Sequence, residues 1–387
     1  MKKISLFIFI DSFGFELLKK HPDIHSELKY KKPVKMQFGY SSTAIPSILT
    51  GETPSRHGQF TFFYHLKDKS RSMFSFFDSF IFKLIPKFIS SRRKFRVLMS
   101  KIFKKYFDIQ GYFDLYAVPF SKLKYFHYSE MNDLFAEKAF DKCKNLKDIL
   151  VEKGIKHFIS NWRQTEDANF KDLTRVLEAG NLDFVFAYFA GLDGVQHMHT
   201  KESVTTDKKV EYYKENLKVI FEILKDKYSE YDVAIFSDHG MTTLTETVDL
   251  KTEIDKLRLV EGEDYLSFYD STMARFWFYT DEAKEEITNI LSTQLCGKIL
   301  GEEELVSWGI NFQDKRYGDI IFLLNPGVQI APSDMGNDAL PGMHGYSPEH
   351  EDSDAIWLST YEPKKFPKEV KEIFNCMMEK IDRIEKV

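Results

Sequence analysis

The sequence predicts an α/β protein: a mostly parallel central sheet with helices on both faces, joined by an inserted helical region rich in Phe and Lys. Three observations carry this expectation. Seven short apolar runs recur along the chain, helix-compatible stretches separate several of them, and one long segment abandons the pattern.

In order, the runs are "ISLFIFI" (4–10), "KHFIS" (156–160), "FVFAYFA" (184–190), "DVAIF" (232–236), "TMARFWFY" (272–279), "DIIFLL" (319–324) and "AIWLS" (355–359). Near-continuous apolar character over so few residues suits strands covered on both faces. Stretches such as 208–228 and 281–295 suit helices between them, so βα alternation and a largely parallel sheet are expected. The N-terminus "MKKISLFIFID" has the charged start of a signal peptide, but its apolar run covers only Ile4 to Ile10 and no small-residue cleavage pattern follows. It reads as the first buried strand.

The segment 61–145 is expected to be an insertion, with 1–60 and 146–387 forming the core. Between Ser79 and Phe107 it holds Lys83, Lys87, Arg92, Arg93, Lys94, Arg96, Lys101, Lys104 and Lys105 without one acidic residue. A solvated helical cap, a lid over an anionic substrate and a membrane-surface or lipid-linked substrate contact through 79–107 are the three readings of that composition.

With 387 residues the chain suffices for one large core with an insertion, or for two domains. Its 54 Lys and Arg stand against 59 Asp and Glu, so binding of a nucleic-acid polymer is not expected. Cys143, Cys296 and Cys376 form neither a disulfide framework nor a CxxC site, which suits a reducing, cytoplasmic setting. No apolar run reaches the ~20 residues that span a bilayer. Oligomeric state is not legible.

Polar residues punctuate the strand ends. Asp11 follows the first run, Asp193 and His197 the third, and Asp238 and His239 the fourth, while His344 precedes the last. In parallel sheets ligands gather beyond the carboxyl ends of strands. Three carboxylates and three imidazoles on one edge would repel and be costly to desolvate unless cations sat among them. Mixed Asp/His donors suit zinc or another borderline metal, and six ligands exceed one tetrahedral zinc, so two divalent ions are expected, zinc first with manganese as the alternative. In "GYSSTAIPSILTGETPSRHG" (39–58), Pro46 places a helix start near Thr43 to Ile45, with Gly51 and Pro54 past its end. Ser41, Ser42 and Thr43 then lie at a helix N-terminus, where free N–H groups and the dipole favour phosphate, and a hydroxyl beside a metal can become a nucleophile.

Together these motifs resemble the alkaline phosphatase superfamily, most closely its type I phosphodiesterase/nucleotide pyrophosphatase branch. The resemblance covers 1–60 and 150–360 and rests on "FIDSFG", "SSTAIPSILTG", "DGVQH", and "SDHGM" with a later "MHGY", in the family's order. It implies one metal at Asp193, His197 and His344, and a second at Asp11, Asp238 and His239. Counting nine residues back from Thr50 gives Ser41 as the nucleophile, with Ser42 and Thr43 as alternatives. The implied activity is hydrolysis of an anionic phosphoester through a seryl or threonyl phospho-enzyme, a phosphodiesterase above all. Phosphotransferase and phosphomutase activities belong to the same superfamily, and a non-catalytic, metal-stabilised binding protein is the reading from another class.

Departures narrow the substrate class. Eukaryotic-type nucleotide pyrophosphatases carry an Asn where "HGQFTFFY" has Phe62, leaving Gln59 or Thr61 as substitutes. No Arg follows "SSTAI" as sulfatases require. Arg275 is expected as an ion-pair partner or a site residue, His57 as a C-terminal helix cap or dipole partner, His199 at the surface and His350 in an exposed acidic loop.

Overall fold

A computed structural model of the chain describes residues 2–67, 72–78 and 92–384. Lys83 and Lys87 of the basic stretch lie outside the described residues.

The first strand, β1 (Lys2–Ile10), is buried without interruption from Leu6 to Ile10. Alternation explains why both faces must be apolar. Leu6, Ile8 and Ile10 join a core with Leu173, Leu177, Val210, Leu217 and Ile220, which come from the helices Glu166–Glu178 and Val204–Lys227. Phe7 and Phe9 take the other face, with Phe7 stacked on Phe184 at 5.3 Å and Phe9 on Phe236 at 5.4 Å.

Five further strands complete this sheet: β2 (Tyr30–Val34), β3 (His157–Ile159), β4 (Phe184–Phe189), β5 (Tyr228–Phe236) and β6 (Ala355–Ser359), in the order β2-β6-β5-β1-β4-β3. β1 pairs in parallel with β4 and β5, and β4 with β3, whereas β6 runs antiparallel to β5 and β2. The sheet is therefore mixed but mostly parallel, as expected. β2 escaped the sequence reading because "YKKPV" is polar; as an edge strand paired only with β6 it tolerates Pro33, which has no N–H to give. Ile10 pairs with Phe189 and Phe9 with Phe236, so three adjacent parallel strands end nearly level.

The chain forms two compact units. The first comprises 1–53, 135–243 and 341–387, and holds this sheet. The second comprises 54–134 and 244–340. Residues 61–134 thus share a unit with a segment that the sequence reading assigned to the core. The second unit's sheet is antiparallel, ordered Tyr265–Tyr269, Met273–Phe278, Ile320–Leu324, Gly297–Ile299. "TMARFWFY" and "DIIFLL" form strands as predicted but not in the parallel sheet. The three residues between Tyr269 and Met273 are too few for the crossover that a parallel neighbour needs. Phe63, Phe74, Phe77, Phe103, Phe126 and Tyr128 pack with Leu266, Phe268 and Trp277 in one aromatic core. Arg275 is wholly buried there, bound to Asp270 at 2.7 Å and to the Phe63 carbonyl at 2.9 Å, which is the structural reading of that residue. No helix among the described residues is long and apolar enough to cross a membrane.

Candidate metal centre

Asp11 leaves β1 at its carboxyl end. Its N–H continues the ladder to the Phe189 carbonyl at 2.9 Å, and its Oδ2 accepts from the Tyr188 hydroxyl at 2.5 Å. The neighbouring β5 ends at Phe236, and Ser237 ties three segments together by donating to the Phe13 carbonyl and accepting from the Ile356 N–H. The chain then turns, and Asp238 Oδ1 accepts from the N–H groups of His239 (3.0 Å) and Ser12 (3.2 Å). That turn lets adjacent side chains converge. Gly240 serves it through space rather than through a left-handed backbone: a Cβ there would lie 2.2 Å from the Asp352 carbonyl oxygen and 3.2 Å from Gly14 Cα.

Asp193 and His197 stand one turn apart on the helix Gly191–His199, so both face the same side, with His197 Nε2 3.4 Å from Asp193 Oδ1. The segment is helical, not extended, and His199 is exposed on it. Glu166 anchors its start by accepting from the Gly191 N–H at 2.9 Å. His344 follows the short strand Gly342–Met343, with Nε2 3.6 Å from Asp193 Oδ1. His239 and His344 stack with ring centroids 3.7 Å apart.

Two imidazoles have their tautomers set by backbone carbonyls, which can only accept. His239 Nδ1 lies 2.9 Å from the Gly240 oxygen and His197 Nδ1 2.8 Å from the Gly342 oxygen. In each neutral ring the lone pair is thereby on Nε2, the atom that faces the carboxylates.

The helix Ser41–Thr50 starts two residues earlier than Pro46 suggested. Pro46 lies beyond the first turn and offers no N–H to the Ser42 carbonyl. Burial of every residue from Ser42 to Thr50 compensates, since packing overrides propensity. The three hydroxyls separate clearly. Ser41 Oγ lies 3.1 Å from His239 Nε2, Thr43 Oγ1 accepts from the Tyr40 N–H at 3.3 Å, and Ser42 Oγ is buried without a hydrogen-bond partner.

The donors suit a divalent cation. Asp11 Oδ1, Asp193 Oδ1 and Asp238 Oδ2 are buried without a hydrogen-bond partner, which is costly for carboxylates that nothing neutralises. Burial first, then Asp238 and Asp193, hold the Asp11 carboxyl well above its usual range. Burial likewise pushes Asp238 up to about 7. Burial would also raise Asp193, but the His197 imidazolium outweighs it and leaves that carboxyl below its usual range. His197 rises to about 9 because Asp193 outweighs burial, whereas burial and then His239 depress His344 far below the ordinary imidazole value. Among the described residues, two triads bring ligand atoms within 4.8 Å of one another and could hold an ion: Asp193 with His197 and His344, and Asp11 with Asp193 and His239. Asp193 therefore reaches both. Asp238 Oδ2 lies 3.3 Å from His239 Nε2.

Sequence reasoning missed two positioning residues. Tyr188 holds Asp11, and Gln196 Nε2 donates to the Ser12 carbonyl at 2.7 Å and to its hydroxyl at 3.1 Å. The only signal was a polar tip inside "FVFAYFA" and an amide inside "DGVQH". Other polar residues take structural places. His57 closes the helix Pro54–His57 but is buried, with its pKa lowered to about 3, so it is a neutral ring and not a charged dipole partner. His350 Nδ1 accepts from the Asp352 N–H at 3.3 Å, so it caps the turn Glu351–Ser353 and is only partly exposed.

Fold and chemistry at this sheet edge define a phosphoric ester hydrolase of the alkaline phosphatase superfamily. The chain belongs to the type I phosphodiesterase/nucleotide pyrophosphatase family, whose model matches residues 5–347. Among solved structures it is similar to human ectonucleotide pyrophosphatase/phosphodiesterase 5, with 14% identity and a TM-score of 0.68 over 98% of this chain and 95% of that one. The murine counterpart gives 16% and 0.67 over 98% and 95%. An inactive murine variant in complex with AMP gives 16% and 0.66 over 99% and 95%. At such identities the likeness is one of fold. No curated protein sequence matches the chain.

Proposed function

We infer that the protein cleaves a phosphodiester or pyrophosphate bond of an anionic substrate through a covalent phospho-Ser41 intermediate. The observation that carries this reading is Ser41 Oγ at a helix N-terminus, 3.1 Å from His239 Nε2, the atom that also lies 3.6 Å from Asp11 Oδ1 and 3.3 Å from Asp238 Oδ2. Asp193, His197 and His344 would hold one divalent ion, and Asp11, Asp238 and His239 a second, with Asp193 in reach of both; zinc suits this donor set better than manganese. When bound, the ions supply positive charge to the phosphoryl oxygens and ease ionisation of a hydroxyl beside them.

The chain's own residues do the rest. Ser41 Oγ attacks phosphorus, its new bond to phosphorus forming as the bond to the leaving alcohol or phosphate breaks. The positive end of the helix Ser41–Thr50 favours the charge that gathers on the phosphoryl oxygens. Tyr188 and Gln196 keep Asp11 and the Ser12 turn in place. Water then cleaves phosphoserine and returns the hydroxyl. A murine protein of this fold is seen in complex with AMP, which supports a nucleotide-type phosphoester as the first class to test.

The deciding assay uses metal-reconstituted protein with bis(p-nitrophenyl) phosphate and p-nitrophenyl phosphate. Diester cleavage should fall at least about a thousandfold in Ser41→Ala and in Asp238→Asn. Wild-type turnover in Ser41→Ala would sink the nucleophile, and failure of the wild type to bind any divalent ion would sink the centre.

A further inference from the structure

The geometry points to a second surface with a different role: the exposed face of the helix Arg93–Tyr106 docks on an anionic lipid bilayer. This inference stands on that helix alone and is independent of the reaction proposed above.

The helix "RKFRVLMSKIFKKY" carries six basic residues and no acidic one, in a chain whose formal net charge is −5. Its inner face is committed to the fold, with Arg96, Ser100 and Phe103 buried. The outer face is not polar throughout, and among the described residues it is not covered. Leu98, Ile102 and Tyr106 are 55%, 49% and 75% exposed and recur every fourth residue, so they form one ridge. Lys94, Lys101 and Lys105 are exposed beside that ridge and make no ion pair or hydrogen bond among the described residues. From Lys101 to Tyr106 this face spans ~140° of the helix at 100° per residue.

The basic residues that serve the fold are distinguishable from these. Arg93 binds Asp114 through Nη1 and Nη2, Arg96 binds the Val118 carbonyl and stacks 4.2 Å over Phe120, and Lys104 binds the Gly111 carbonyl. Asp114 is thus already neutralised, and Asp108 accepts from Gln110 Nε2. What is left outward is an apolar ridge flanked by three ammonium groups without an ion-pair partner among the described residues. An acidic protein would complement the lysines and leave the ridge wet. A bilayer surface takes both, with phosphate and carboxylate headgroups against the lysines and the acyl boundary against Leu98, Ile102 and Tyr106.

The test is flotation of the full chain with vesicles of phosphatidylcholine alone and with about 30% phosphatidylserine added, a composition that sets up the anionic surface potential. The expected result is binding to the anionic vesicles that weakens with salt, and little binding to the neutral ones. K94E/K101E/K105E should weaken it on the order of a hundredfold, and L98S/I102S roughly tenfold, both with unchanged thermal melting. Tyr106→Trp adds a second readout, a blue-shifted emission on anionic vesicles only. Equal binding to neutral vesicles, an unaffected triple variant or an unshifted Trp emission would overturn the proposal. So would full binding by L98S/I102S that polyaspartate competes away, since that outcome identifies a patch for acidic protein.

Discussion

The imidazole of His239 lies flat on that of His344, with centroids 3.7 Å apart and planes 13° from parallel. Asp11 Oδ1 and Asp238 Oδ2 lie 3.6 Å and 3.3 Å from His239 Nε2, Asp193 Oδ1 lies 3.6 Å from His344 Nε2, and none of these three buried oxygens has a hydrogen-bond partner. Such a cage is strained electrostatically until a cation enters it. Stripping the protein with a chelator should lower its melting temperature, and zinc in a thousandfold excess over Kd should restore about 4 kcal/mol. Asp11→Asn should blunt that response. Calorimetry with and without zinc or manganese checks this, and a metal-independent transition would contradict it.

The three hydroxyls at the start of the helix Ser41–Thr50 are chemically similar and structurally different, so their alanine variants should separate. Ser41→Ala should abolish diester turnover with melting unchanged. Thr43→Ala should cost about 1 kcal/mol of stability, because it removes the acceptor of the Tyr40 N–H. Ser42→Ala should be near neutral in stability. Parallel melting and turnover measurements read all three; loss of turnover in Thr43→Ala with Ser41→Ala active would reverse the assignment.

Gly240 is needed for space. Its replacement by Ala puts a methyl group 2.2 Å from the Asp352 carbonyl oxygen, a backbone atom that cannot swing aside. Gly240→Ala should destabilise by about 2–4 kcal/mol and reduce metal affinity, because the Asp238-His239 turn must move. Gly194→Ala is the control, since its Cβ would meet nothing within 4 Å. Denaturant titrations of the two should differ clearly, and equal midpoints would refute the close-approach argument.

Glu130 of the second unit predicts a pH dependence of its own. Burial raises its pKa to about 8 from 4.5, and the Tyr112 backbone and Lys104 offset only part of that. The unfolded chain releases this proton first, so the penalty is absent below 4.5, grows as pH rises and is complete above about 8. Glu130→Gln mimics the neutral acid. It should match the wild type near pH 4.5 and exceed it by about 3 kcal/mol at pH 7. A constant difference across that window, measured by urea unfolding, would mean that Glu130 folds ionised.

Every apolar run read from the sequence became a strand, because a short, mostly apolar run bounded by turn residues leaves a chain few alternatives. The runs did not reveal their partners. "TMARFWFY" looks as apolar as "FVFAYFA", yet the three-residue link from Tyr269 turns it antiparallel in a separate sheet, while Phe184–Phe189 enters the parallel one after a helix. "YKKPV" was missed for the opposite reason, since an edge strand can be polar and carry proline.

By itself, the sequence determined the α/β class, the family and the presence of Asp11, Asp193, His197, Asp238, His239 and His344 at element ends, because burial pattern and motif order are local properties. Only the tertiary structure decided that Ser41, and not Ser42 or Thr43, faces His239, that Asp193 reaches both triads, and that Tyr188 and Gln196 support the cage. Those facts depend on side-chain directions set by residues up to 226 positions apart, as between Ser12 and Asp238, and no local spacing encodes them.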